Sequence, residues 1–540
     1  SRPGYLLGVT EYDDGVMFGN ALRLVSGSIP YRDFQMVQPP GSMLILAPAA
    51  LLAKVTGTAQ GLAVARLLTV AADVANVVLI GVLIRQRGPL AVGIACGVYA
   101  VCPDALSADH TFMLEPWLNL CCLIAAVALF DGDRLAGVRR RAPDDPRSPR
   151  LSDTARLTWA GVALGFGMVV KIWAAVPYAI AVVILVVAAF LAAPSLMPAS
   201  VRDLRARLRP ATVMTGGAVL GLGVPLLPFA IMAPGGLARG VLIGQLARNS
   251  GGKRDPLARL ADIAGLRAFP ARLPTAAALM FVVLVILACY AWVFLRGAGR
   301  RPGSAWLDAY VLAGAVLTTV MFLWPRLYYS HYGAFAGPFL GLAVALPIGL
   351  ATGRATGRAA TGPGPRAQAL TGTVRRPLAT GVTAALAVLV VLGLAGATET
   401  QLRAESRLSG VQGAAAAGRL IPAGACVLTN GVSYTVAANR FFSADPDCPQ
   451  VVDSFGTLFA MTDGGTVSAP APELRPVREI WQSSFEHAAY VWITSDTTNQ
   501  IPWDARLLGY FHAHFRLIGL HWEAALLNPA VPQPGLYRRI

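Results

Sequence analysis

The sequence predicts a mainly α protein: a polytopic bundle of transmembrane helices followed by a small extracytoplasmic α/β domain at the C-terminus. Two observations carry this. Of the 540 residues, 55% are hydrophobic and only 14% charged, with a mean hydropathy of +0.56; an ordinary soluble domain is about a quarter charged. The apolar residues also fall in blocks of roughly 16 to 22, the length that crosses a hydrocarbon core as a helix. Lipid offers the backbone no hydrogen bonds, so such blocks must be helical.

Ten crossings are expected, near 62–84, 88–103, 113–130, 157–172, 175–194, 211–233, 276–296, 305–324, 333–350 and 379–396. Arginines concentrate in alternate loops: Arg85 and Arg87, then Arg134 to Arg156, Arg202 to Arg209, Arg296 to Arg301, and Arg354 to Arg376. The positive-inside rule puts these loops in the cytoplasm. The same rule divides residues 157–194 into two short helices with a turn near Lys171 to Pro177, because arginine-rich loops flank both ends. The net charge of +16 is therefore topogenic, and no nucleic-acid partner is expected.

The remaining loops face outward: 1–61, 104–112, Lys171 to Ala174, 234–275, 325–332 and everything after 398. With ten crossings the first residue is also outside, and a helix preceding Ser1 is expected. The outer loop 234–275 carries Arg239, Arg248, Lys253, Arg254, Arg259, Arg267 and Arg272, either neutral to topology or a surface for anionic lipid. Residues 41–55, with Pro39, Pro40 and Pro48 nearby, are too short to cross and read as an interfacial or re-entrant helix. The Gly-, Ala-, Thr-, Pro- and Arg-rich stretch 354–376 reads as a cytoplasmic linker.

This divides the chain into a membrane domain, 1–397, and an outer domain, 398–540. In the latter, Ala425 to Leu428, Gln450 to Val452, Tyr490 to Thr494 and Gly535 to Arg539 read as strands, and 400–420 as a helix. Cys426 and Cys448 are its only cysteines, and an outer location makes them a disulfide pair. The other five lie in or beside apolar blocks as small hydrophobes.

Three outer segments carry the groups suited to chemistry. The first runs Glu11-Tyr12-Asp13-Asp14-Gly15, a helical stretch, Pro30-Tyr31-Arg32-Asp33-Phe34, and Gln38-Pro39-Pro40-Gly41. An Asp at a helix start is either an N-cap or a general base, with the second carboxylate orienting it or sharing a metal. The second segment gathers Asp104, Asp109, His110 and Glu115 at another helix entrance. The third reads Trp324-Pro325-Arg326-Leu327-Tyr328-Tyr329-Ser330-His331-Tyr332. It is either an aromatic interface belt with a snorkelling Arg or a cationic wall for a phosphate. Lys171 stands alone at an outer helix end and either snorkels or serves the same phosphate.

An outer acidic pair, an amphipathic stretch and a Pro-Pro-Gly motif together resemble the C-type (GT-C) membrane glycosyltransferases, above all the protein O-mannosyltransferase and aminoarabinose-transferase branch. The resemblance spans roughly residues 5–350. It implies that Asp13 is the catalytic aspartate and Asp14 its acidic neighbour, with Pro39 and Pro40 as the double proline. Asp14 replaces the more usual Glu, and Gln38 stands where a basic or His residue often precedes the prolines. The implied reaction moves a sugar, with inversion, from a polyprenyl-phosphate donor to an acceptor hydroxyl on a protein or a cell-envelope glycan. It takes place on the outer face of the plasma membrane.

Asp13 would be the base. Arg326, His331, Lys171 and Arg32 are the candidate phosphate contacts. Tyr328, Tyr329, Tyr332, Gln38, Asp109, His110 and Glu115 are the candidate substrate contacts. No cofactor is required by this scheme, and a divalent metal stays open. The outer domain is read as an acceptor- or carbohydrate-binding unit. Two rival readings remain at this point: a transporter or lipid flippase, for which Asp73 is the clearest acid inside a crossing, and a non-catalytic scaffold with a glycan-binding tail.

Overall fold

A computed structural model describes residues 6–9, 11–109, 111–131, 134–138, 152–192, 200–243, 255–265, 304–325, 328–355, 385, 388–389, 391–400, 402–403, 411–449, 451–462, 471–494, 500–519 and 532–540. The expected crossing at 276–296, most of that at 379–396, Arg326, His110 and the side chain of Asp109 lie outside these residues.

The chain opens with α1, Tyr12–Val25, and α2, Gly41–Thr56, which carries Pro48 inside it. Next come α3 Thr58–Ile84, α4 Pro89–Ala100, α5 Pro103–Asp109 and α6 Leu114–Leu129. They are followed by α7 Asp153–Val170, α8 Ala175–Leu191 and α9 Val201–Met232. Then come α10 Pro256–Ile263, α11 Ser304–Leu323 and α12 Gly333–Ala355, and residues 391–400 are helical again. Among the described residues five segments are long and apolar enough to cross a membrane: Thr58–Arg87, Ile172–Leu191, Val201–Met232, Ala305–Leu323 and Ser330–Gly349. At 1.5 Å per residue, α3 is about 40 Å long, ample for a core of about 30 Å. The protein is a membrane protein.

The expected break within 157–194 is present. Helix α7 ends at Val170, Lys171 is extended (φ −156°, ψ 131°), and a single 3₁₀ turn over Ile172–Ala174 leads into α8. Helices α7 and α9 cross so closely that a Cβ at Gly161 or Gly165 would overlap the carbonyls of Met214 or Ala218, and one at Gly217 or Gly221 those of Thr158 or Val162. In lipid, where apolar side chains gain nothing from leaving the solvent, such small-residue faces bring helices together through backbone contact.

The C-terminal domain joins a four-stranded sheet to helices. Its strands are β1 Val427–Thr429, β2 Tyr490–Ile493, β3 Phe515–Gly519 and β4 Gly535–Arg539, in the order β1-β2-β4-β3. β1 and β2 are parallel, and the other pairings antiparallel. The helices are α13 Val411–Leu420, α14 Val432–Ala437, α15 Ser454–Met461, α16 Ala471–His487 and α17 Ala505–His514. Leu428, Trp481, Phe485, Val491, Phe511 and Tyr537 form the core between sheet and helices. Cys426 and Cys448 are joined in a disulfide, Cα to Cα 5.5 Å.

One expected strand is absent. Gln450 lies outside the described residues, and Val451 and Val452 adopt no strand. Val452 is buried in the same cluster as Val16, Phe18 and Met43 of the membrane domain. The short apolar run is therefore a docking contact against α1. Val432, Val436 and Phe441 join that cluster too, so the domain shares a core with the bundle.

Candidate active site

Glu11, in extended conformation, caps α1 by accepting the Tyr12 N–H at 3.2 Å. The cap is thus Glu11 and neither aspartate; Asp13 and Asp14 occupy the first turn, where carboxylates favour the helix dipole. Their environments differ sharply. Asp14 is fully buried, and Arg66 of α3 donates to its Oδ2 through both Nε (3.0 Å) and Nη2. Its Oδ1 accepts the Phe112 N–H at 2.9 Å. Arg66, itself 0% exposed, also donates to the Leu6 carbonyl at 2.8 Å. The oxygens of Asp14 are thereby committed to tying α1, α3 and the entrance of α6 together. Asp13, its sequence neighbour, is only half-buried.

Three residues along from Phe112, Glu115 is 1% exposed in the first turn of α6. Its Oε1 accepts from Lys171 Nζ at 2.6 Å, and its Oε2 is buried without a hydrogen-bond partner among the described residues. Lys171, far from snorkelling alone, lies over the rings of Trp173 (3.6 Å) and Tyr332 (4.6 Å). Trp173 packs edge-on against Tyr332 at 4.6 Å, and Tyr332 meets Tyr328 at 5.7 Å and His331 at 4.9 Å. His331 stacks on Tyr329 at 5.6 Å. Asp104 of α5 sits against the start of α12, where a Cβ on Gly333 would overlap its carboxylate.

The proline motif joins from another side. Pro40 occupies the N-cap position of α2, and Gly41 packs on the Val169 carbonyl, so closely that a Cβ there would stand 2.5 Å from its oxygen. Pro39-Pro40-Gly41 therefore abuts the end of α7, two residues before Lys171. Gln38 is half-buried, and the Tyr31 hydroxyl donates to its carbonyl at 2.6 Å.

The three segments singled out in the sequence thus meet at one end of the bundle, bridged by Asp14 to Phe112 and by Glu115 to Lys171 to Tyr332. Two candidates stand apart. The Arg32 side chain is 54% exposed and forms its pair with Asp33 (Nε to Oδ1, 2.8 Å); that hydrogen bond holds the Asp33 carboxyl below the usual range. Arg259 is buried and donates to the carbonyls of Phe322 (3.2 Å), Leu323 and Pro325. It caps the C-terminal end of α11 and offers no surface to anionic lipid. Among the described residues no group of three or more His, Cys, Asp or Glu side chains is gathered to hold a metal ion.

Arg66 and Trp173 escaped the sequence reading. A lone arginine inside a 27-residue apolar helix was the available signal for the first, since an ionisable group at membrane depth needs a partner. Asp73, the acid on which a transporter reading leans, accepts from the Tyr99 hydroxyl and from Asn76 Nδ2 (3.1 Å), an interhelical tie between α3 and α4.

Comparison with known structures follows this geometry. ArnT from Cupriavidus metallidurans bound to undecaprenyl phosphate superposes with a TM-score of 0.56 at 12% sequence identity, over 99% of this chain and 95% of that one. The chain has the C-type glycosyltransferase fold. ArnT in the apo state aligns at a TM-score of 0.48 and 13% identity, over 91% of this chain and 89% of its own. The apo oligosaccharyltransferase of Archaeoglobus fulgidus aligns at 0.46 and 12% identity, over 90% of this chain and 66% of its own. No family model and no curated protein matches the chain.

Proposed function

We propose that the protein is a membrane glycosyltransferase that moves a sugar from a polyprenyl-phosphate carrier to an acceptor hydroxyl on the extracytoplasmic face. The observation that carries this reading is the division of labour in the acidic pair. Asp14 is locked by Arg66 and the Phe112 N–H, which fixes the first turn of α1, while Asp13 beside it stays half-buried. A solvated structural cap needs neither the buried arginine nor the second carboxylate. The undecaprenyl phosphate bound by ArnT, which shares this fold, supports the choice of carrier.

In this reaction Asp13 takes the proton of the acceptor hydroxyl as its oxygen attacks the anomeric carbon. The bond from that carbon to the phosphate oxygen breaks, the configuration inverts, and polyprenyl phosphate leaves already ionised, so no general acid is needed. Charge grows on the phosphate as it leaves and calls for pre-placed donors. Lys171 is the first of these, held on the Trp173 and Tyr332 rings by Glu115, with His331 next and Arg326 adjoining in sequence. Glu115 Oε2, without a hydrogen-bond partner among the described residues, suits a sugar hydroxyl. Asp14 acts as a positioning residue. Arg32, exposed and paired with Asp33, falls to the last place among the phosphate contacts.

The test is Asp13→Asn, assayed for transfer from a labelled polyprenyl-phosphate sugar to acceptors in native membranes. Transfer falls by at least about a hundredfold, the low end for a positioned base, at an unchanged melting temperature. Wild-type rates in that variant would remove the proposed base.

A further inference from the structure

Between the turn that follows α1 and the C-terminal domain lies a cavity of about 570 Å³. Its volume falls in the range of small-ligand sites, about 300–1,000 Å³. Asp33, Phe34 and Gln35 form one wall; α15, α16 and the segment before α15 form the others. None of its lining residues belongs to the cluster around Asp14, Glu115 and Lys171.

The lining fixes the chemistry of an occupant. Among the described residues it contains no Lys or Arg for a phosphate. Of its three carboxylates, Asp33 is engaged by Arg32 and Glu479 by Arg475 at 2.8 Å, and Asp447 is exposed at the rim, so a cation gains little inside the cavity. Neutral hydrogen-bonding groups remain, set against apolar ones. Ser484 is 4% exposed and brings a hydroxyl to the wall. His487 Nδ1 lies 2.8 Å from the Ser483 carbonyl, which can only accept, so Nδ1 carries a proton and, in the neutral ring, Nε2 is left as an acceptor. Gln35 adds an amide with both a donor and an acceptor. Phe34, Met461 and Ile480 supply apolar surface for C–H faces.

The cavity is also tied to the base. The Tyr12 hydroxyl, one residue from Asp13, donates at 3.0 Å to Asp453, the N-cap of α15. Burial and the Asp453 carboxylate push that phenol well above its ordinary range, so it stays protonated and the bond is kept. Helix α15, with eight residues, is about 12 Å long. We infer that the cavity is an acceptor subsite for a neutral, hydroxyl-rich glycan, a use that rests on the transfer reaction proposed above.

The experiment titrates the full chain in lipid nanodiscs with a mixture of short neutral oligosaccharides, and separately with a Ser/Thr peptide, by calorimetry. The oligosaccharides bind and the peptide does not. Gln35→Ala and His487→Ala each weaken binding about tenfold without moving the melting temperature, and Asp13→Asn binds as the wild type does. Binding untouched by both cavity variants, preference for the peptide, or no oligosaccharide binding to the wild type overturns the inference. Transfer activity is read in parallel. A chain that transfers sugar without this binding overturns the cavity alone. One that binds oligosaccharides but releases no sugar from polyprenyl-phosphate donors overturns the reaction, and with it the acceptor role.

Discussion

Replacing Asp14 with Asn removes the charge that neutralises Arg66 in a site where both side chains are inaccessible. Breaking a buried pair from one side costs about 3–5 kcal/mol, because the remaining charge stays buried and unpaired. Asp14→Asn therefore lowers the melting temperature or the yield of folded protein, while Asp13→Asn does neither. Equal stability of the two variants would show that the neighbours are not divided as described. Glu115→Gln loses the countercharge that holds Lys171 over its rings, so transfer falls and the dependence on donor concentration rises with it. At this scale the sequence was legible in residue type and placement: Asp13, Asp14, Glu115, Lys171 and Tyr332 were all singled out from one side of the membrane. Partnership was not legible. Nothing in linear spacing joins Lys171 to a carboxylate 56 positions earlier, or Asp14 to an arginine 52 positions later.

At the scale of elements, Gly15 and Gly19 place a small-residue face on α1 where the C-terminal domain docks. A Cβ on Gly15 would overlap Ser433, and one on Gly19 would come within 2.8 Å of Val452. The Ser433 hydroxyl donates to the Glu11 carbonyl at 2.9 Å, and Thr58 to the Val436 carbonyl at 2.6 Å. Gly15→Leu should prise the domain from α1, seen as faster protease cleavage between the two and as loss of transfer; unchanged cleavage would refute the docking. The long helices were readable because lipid leaves an apolar block one backbone solution, and charge alternation alone divided α7 from α8. The C-terminal domain was read less well. Its helices α16 and α17 are amphipathic, α17 opening on the Asp504 N-cap, and were passed over, while Val451-Val452 has the β-branched vocabulary of a strand but serves as a contact. A half-buried and a buried valine in sequence do not say whether their neighbours are strands or a helix of another domain.

For the whole molecule, bundle and C-terminal domain behave as one body around α1, since Val432, Val436, Phe441 and Val452 share the bundle's core cluster. The disulfide closes a loop of 22 residues within the C-terminal part of that body. In the chain-entropy account such a link contributes about 3 kcal/mol, so Cys426→Ser with Cys448→Ser lowers the unfolding temperature of the C-terminal domain; no shift would mean that docking on α1 already supplies the constraint. The central claim is that one end of the bundle holds a lipid phosphate beside Asp13. Its most direct measurement is a cryo-electron microscopy structure of the chain with polyprenyl phosphate. The account predicts phosphate density within hydrogen-bonding reach of Lys171, with the lipid leading away past the Trp173 and Tyr332 rings. Phosphate bound elsewhere, out of reach of Lys171, with Asp13 facing no ligand, would contradict it.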